Sequence, residues 1–151
     1  MKILNEMRLD FSACPENEAF ARTVIAAFLL PINPTLELLG DVKTSVSEAV
    51  TNAIVHGYAG RGGTVRMGAD ISDQGEPTVD VIDNGRGIED VERARQPFFT
   101  TMADAERSGM GFTVMESFMD SVEVASEMGV GTTVRMKKRV RSEACASAGV
   151  I

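Results

Sequence analysis

Tryptophan is missing from this 151-residue chain, tyrosine occurs once, and aromatic side chains make up only 5% of it. A core without large rings has to be built from aliphatic side chains, and the nine methionines suit its irregular gaps or an adaptable contact surface. Cysteine is nearly as scarce: Cys14 and Cys145 lie near opposite ends, in no CxxC or His-flanked cluster. That excludes a disulfide framework and a zinc site, and it fits a reducing compartment. Positive charge is short as well, 15 Lys and Arg against 22 Asp and Glu, a net charge of −7. No basic patch is at hand to release counterions from a phosphate backbone, so direct binding to nucleic acid is excluded. A long apolar run is absent from the opening MKILNEMRLD, which Asn5, Glu6, Arg8 and Asp10 interrupt. Neither a signal peptide nor a membrane span is expected there, and the expected location is the cytoplasm, with no membrane partner.

What is present has the proportions of one soluble globular domain, with 44% hydrophobic and 25% charged residues. Met7, Leu9 and Phe11 alternate with polar residues and predict a half-buried first strand. Pro15 stands where a first helical turn tolerates proline, and Phe20, Val24, Ala27 and Phe28 continue a helix down to Pro31. A second, more apolar helix runs from after Pro34 through Leu38, Val42, Val46, Ala49, Val50, Ala53 and Ile54 to about Gly57. Two strands follow the Gly60–Gly63 turn, one through Val65, Met67, Ala69 and Ile71 and one through Val79, Val81 and Ile82. From Asp83 to Gly111 the pattern breaks, over roughly twice the length at which a connection demands a function, and this stretch (about 84–111) is read as a lid. Helical spacing resumes over Phe112–Met119, and two last strands pass through Val122 and Val124 and through Thr133, Arg135 and Lys137. The predicted order is βααββ, lid, αββ, with residues 1–138 as one domain and 139–151 as a disordered tail.

Three short motifs carry chemistry. Glu48, Asn52 and His56 recur at four-residue spacing on the second helix, so their polar groups share one face; taken alone, this is also the solvent edge of any amphipathic helix. Asp83-Asn84-Gly85-Arg86-Gly87 comes straight off a strand, where a carboxylate can accept from an exocyclic amine such as that of adenine. By itself it reads first as a surface Asx turn, common wherever Asp and Gly meet. Arg107-Ser108-Gly109-Met110-Gly111-Phe112 opens the helix after the lid, where glycine-flanked amides at a helix N-terminus bind phosphate and Arg107 adds charge; the alternative is a flexible hinge. Their joint occurrence, in this order and separated by a long lid, is far more specific than any one of them.

SEAVTNAIVHGY resembles the N box of the GHKL superfamily, DNGRG its first glycine box and ERSGMGF its second. From about Asn5 to Lys138, including ENEAFAR and ARQPFFTT, the chain resembles the anti-sigma F factors of spore-forming bacteria. That resemblance implies an α/β fold, the Bergerat two-layer sandwich, with helices on one face of a mixed, mostly antiparallel sheet and ATP or ADP with Mg²⁺ between helices and lid. It implies an anti-sigma factor that is also an ATP-dependent protein serine kinase. Asn52 would supply oxygen to Mg²⁺, Asp83 would read adenine, Glu48 would act as general base toward a serine hydroxyl, and Arg107 would stabilise the transferred phosphoryl group. Gly85, Gly87, Ser108, Gly109, Met110, Gly111 and Phe112 would shape the nucleotide pocket, with Thr101 and Thr133 lining it. Glu18 and Arg22, one turn apart on the first helix, would contact protein partners; on spacing alone they are an ordinary exposed ion pair. The implied partners are the sporulation sigma factor F, an anti-anti-sigma factor that accepts phosphate, and a second copy of the chain. His56 is the chain's only histidine and sits within the nucleotide helix, so it is read as a polar residue near the pocket and not as a phosphorylated one. A kinase serving a related stress-response sigma factor, and a nucleotide-gated binding module without catalysis, are the competing readings.

Overall fold

Alternation of apolar and polar residues sets the strands, and the structure, a computed structural model that describes residues 2–96 and 111–139, arranges five of them in one sheet. These are β1 (Ile3–Ser12), β2 (Thr64–Ser72), β3 (Pro77–Asp83), β4 (Ser121–Glu127) and β5 (Gly131–Lys137), in the order β1-β2-β3-β5-β4. The helices are α1 (Glu16–Leu29), α2 (Leu36–Asn52), α3 (Val91–Ala94) and α4 (Gly111–Phe118). A 3₁₀ turn, Leu30–Ile32, follows α1, and a π-helical turn, Ala53–Gly57, continues α2. The predicted order of elements is the observed one, with α3 added inside the predicted lid. Residues 97–110, which include Thr101, Arg107, Ser108, Gly109 and Met110, lie outside the described residues, as does the tail from residue 140.

Every pairing in the sheet is antiparallel, where the resemblance implied a mixed, mostly antiparallel one. The reason is topological. The crossover through α4 carries the chain from β3 to β4 in the same direction, but β5 returns between them, so the two parallel strands never become neighbours.

One face of the sheet carries the core. Val65, Met67, Ala69 and Ile71 of β2, Val79 and Val81 of β3, and Val134 and Met136 of β5 are buried, and their alternate neighbours face solvent. On the outer face Arg66 pairs with Asp10 and Arg135 with Asp80 across neighbouring strands. Exposed pairs of this kind contribute little to stability, but they keep the face polar.

Helix α1 buries Ala21, Ile25 and Leu29, one side of a helix at four-residue steps, and its Phe20 ring meets Phe11 of β1 edge to face. Helix α2 begins at Thr35, whose hydroxyl accepts from the Leu38 amide at 3.0 Å, and buries Val42, Ser45, Val46, Ala49 and Val50. Helix α2 packs between α1 and α4. Its C-terminal end therefore lies over the sheet beside α4, which is what positions the site. Among the described residues no helix is long and apolar enough to cross a membrane.

Candidate nucleotide site

Polar residues on an otherwise buried helix end need a cavity or partners. Here the C-terminal end of α2, the π turn, the ends of β3 and β5, residues 86–94 and the start of α4 enclose a cavity of about 370 Å³. Asn52, Ala53, His56 and Gly57 form one wall, and Asp83, Thr132 and Val134 form its floor. The π turn matters to this wall: the Tyr58 amide reaches the Ala53 carbonyl at 3.0 Å, five residues back, and one extra residue enters the turn. Asn52 and His56 both line the cavity even so.

At one end of the cavity lies Asp83, 6% exposed. Burial pushes its carboxyl above the ordinary value, against the opposing pull of backbone N–H groups donated by Gly85 and Thr132. The Gly85 amide donates to Oδ1 at 2.9 Å, and the Arg86 amide donates to the Gly57 carbonyl at 2.9 Å. Gly85 itself sits so close to that carbonyl that a Cβ would lie 2.0 Å from it. Gly87 takes φ of +82°, which a side chain resists, and it lies against the Glu127 carbonyl in the β4–β5 turn. Tyr58 closes the back of this end: its hydroxyl accepts from the Asn84 amide at 2.8 Å and donates to the Thr64 carbonyl at 2.5 Å.

At the other end α4 starts at Gly111, beside the Asn52 carboxamide: a Cβ on Gly111 would lie 2.9 Å from Nδ2 and 3.2 Å from Oδ1. Phe112, 8% exposed, also lines the cavity. Arg95, just beyond α3, donates to the Glu116 carboxylate on α4 and, at 2.9 Å, to the Val122 carbonyl on β4. Among the described residues no group of three or more His, Cys, Asp or Glu gathers that could hold a metal ion. The Asn52 carboxamide offers the cavity an oxygen, the donor type that a hard cation such as Mg²⁺ takes.

The sequence-predicted residues divide as follows. Asn52, Asp83, Gly87, Gly111 and Phe112 line one cavity, and Gly85 stands behind Asp83. Glu48, half-buried one turn before Asn52, does not line the cavity formed by the described residues. Glu18 and Arg22 form an i,i+4 ion pair at 3.1 Å on α1, away from the cavity lining. Thr133 is corrected: the alternation that carries Thr132, Val134 and Met136 inward puts Thr133 in phase with exposed Arg135 and Lys137, and the threonine in the cavity is Thr132. The inward phase of Val134 and Met136 was the signal for this choice. Gly57, Ile88 and Met128 also line the cavity and were missed. Ile88 and Met128 belong to none of the quoted motifs, and Gly57, although inside SEAVTNAIVHGY, meets Asp83 only through the fold.

Residues 11–138 match the family described as histidine kinase-like ATPase domain. The chain is 52% identical over 143 residues to the anti-sigma F factor of Thermoanaerobacter sp. (strain X514), covering 95% of this chain and 99% of that one. It is 56% identical over 135 residues to the anti-sigma F factor of Clostridium acetobutylicum, covering 89% and 94%. Among solved structures, the RsbU and RsbW domains of a Mycobacterium tuberculosis protein superpose with a TM-score of 0.64 at 17% identity, over 89% of this chain and 32% of that one, a likeness of fold.

Proposed function

The chain belongs to the histidine kinase-like ATPase domain family and, within it, to the anti-sigma F factors, and from that premise we propose that it is a cytoplasmic, ATP-gated switch on sporulation transcription. With ATP bound, a dimer of the chain holds sigma factor F inactive. An anti-anti-sigma factor displaces the sigma factor and is phosphorylated on serine. The observation that carries this reading is a single cavity with a buried carboxylate, Asp83, at one end and the Asn52 carboxamide against Gly111 at the other. An amine acceptor and an oxygen ligand lining one cavity suit a purine nucleotide, the first toward its base and the second toward its phosphates.

In this reading Asp83 would accept from the adenine amine, and the Asn52 carboxamide oxygen would hold Mg²⁺, which would supply positive charge against the phosphates. Glu48 takes the proton of the incoming serine hydroxyl as its oxygen bonds to the γ-phosphorus. The bond from that phosphorus to the bridging oxygen breaks, and ADP leaves. Arg107 balances the charge on the transferred group. Exchange of ATP for ADP changes partner choice only insofar as sigma factor and anti-anti-sigma factor bind the two nucleotide states with different affinity. Glu18 and Arg22 on α1 contribute to the partner surface.

Transfer of ³²P from ATP, with Mg²⁺, to a candidate anti-anti-sigma protein tests the reading, with sigma factor binding scored in parallel. Wild type should label the acceptor on serine, and Glu48→Ala should lose transfer while keeping ATP and sigma binding. No transfer by wild type, with ATP-dependent sigma binding intact, would leave a nucleotide-gated binding module.

A further inference from the structure

Three residues paired across neighbouring strands form a row on the inner face of the sheet at the buried end of the cavity: Asp83 on β3, Thr132 on β5 and Ser126 on β4. Residues directly opposite in antiparallel strands share a face, so the row is continuous from the cavity floor to a strand at the edge of the sheet. Ser126 does not line the cavity, and no part of the proposed mechanism uses it. Its hydroxyl nevertheless makes three contacts. The Ile88 amide donates to Ser126 Oγ at 2.7 Å, Ser126 Oγ donates to the Gly131 carbonyl at 3.1 Å, and Ser126 Oγ lies 2.8 Å from Thr132 Oγ1.

A serine hydroxyl has one proton. The Gly131 carbonyl can only accept, and the Ile88 amide can only donate, so the Ser126 proton goes to Gly131. The proton between Ser126 and Thr132 must then come from Thr132. Any other assignment leaves two oxygens facing each other with no proton between them. Thr132 thus spends its only O–H on Ser126 and turns lone pairs toward the cavity, where the Asp83 carboxylate is also an acceptor.

We propose that Ser126 is a positioning residue for base selectivity: by fixing the Thr132 hydroxyl as an acceptor, it makes the buried end of the cavity select a purine whose 6-substituent donates hydrogen bonds over one whose 6-substituent accepts them. This rests on the reading of the cavity as a nucleotide site and deepens it, since Asp83 alone fixes one acceptor and Ser126 fixes the second. Without Ser126 the Thr132 hydroxyl can rotate and donate to a 6-oxo group, and selectivity at that position is lost.

The test measures binding of ATP, ITP and ADP to the full chain. ITP carries a 6-oxo group where ATP carries a 6-amino group, and the two share their phosphates. Ser126→Ala should lower the ATP-over-ITP preference about three- to tenfold, the scale of one hydrogen bond, and leave the ATP-to-ADP ratio unchanged. Ser126→Thr, which keeps the hydroxyl, should retain the preference. Thr132→Val keeps the backbone N–H on Asp83 and removes the hydroxyl, so it should weaken ATP and spare ITP, which provides a second reading if Ser126→Ala folds poorly. A wild-type preference for ATP that survives Ser126→Ala, or equal weakening of ATP and ITP by Thr132→Val, would overturn the inference alone. Failure of wild type to bind any of the three nucleotides would overturn the nucleotide reading and the inference with it.

Discussion

The Asp83 carboxylate lies directly over the α-carbon of Gly57: a methyl group there would come within 2.7 Å of Asp83 Cγ and 2.8 Å of both carboxylate oxygens. The π turn delivers Gly57 to this spot, and its carbonyl accepts from the Arg86 amide, so the end of the first motif and the second motif form one unit. Gly57→Ala should therefore displace Asp83 and cost about 1–3 kcal/mol through overpacking. A tenfold or greater loss of ATP affinity, with a lowered urea midpoint, is the expected result in a binding titration and an unfolding curve. Unchanged affinity would mean that Asp83 does not contact the nucleotide.

Burial raises the Asp83 carboxyl above its ordinary value of 3.8. Between that value and the raised one, the folded state holds more proton than the unfolded state, so the Asp83 contribution to stability is full below 3.8 and is lost as pH rises through the folded value. Asp83→Asn removes this titration. In urea unfolding of the nucleotide-free chain, the stability of wild type relative to Asp83→Asn should fall between low and neutral pH. Nucleotide binding should run the opposite way, weakening as pH falls and the acceptor becomes protonated. A pH-independent difference between wild type and variant would contradict both statements.

Gly111 borders the Asn52 carboxamide with no room for a Cβ. Because the obstacle is the end of a side chain, Gly111→Ala should leave the fold intact and rotate the carboxamide away. The expected signature is a loss of Mg²⁺-dependent ATP affinity of about tenfold, with little change in metal-free binding; equal losses with and without Mg²⁺ would separate Asn52 from the metal.

Arg95 joins the end of α3 to α4 and β4 through Glu116 and the Val122 carbonyl. Its side chain is 23% exposed and that of Glu116 42%, so the ion pair is partly screened. Arg95→Ala should cost about 1–2 kcal/mol, chiefly from the carbonyl left without its donor, and Glu116→Ala less. A double-mutant cycle read by thermal unfolding should give a coupling below about 1 kcal/mol. A larger coupling would show that the pair, and not the Val122 bond, holds α4.

Much of this architecture is legible in the sequence. Strand and helix periods give the element order, because burial on one face of each element imposes its period on the residues. Helix α3 was absorbed into the lid because four residues, Val91–Ala94, carry too little periodicity to be seen, although Asp90 caps them by accepting from the Arg93 amide at 3.1 Å. The motifs holding Asn52, Asp83 and Gly111 were visible because special residue types stand at short, local spacings.

By itself, then, the sequence determined which segments alternate, which helix ends carry polar groups and glycines, and which family the motifs resemble. The tertiary structure alone decided that β5 inserts between β3 and β4, that Gly57 lies under Asp83, and that Ser126 orients a hydroxyl on a neighbouring strand. Local features follow from the backbone period of a few residues. The others depend on register between strands distant in the chain, where a shift of one residue turns every side chain to the opposite face.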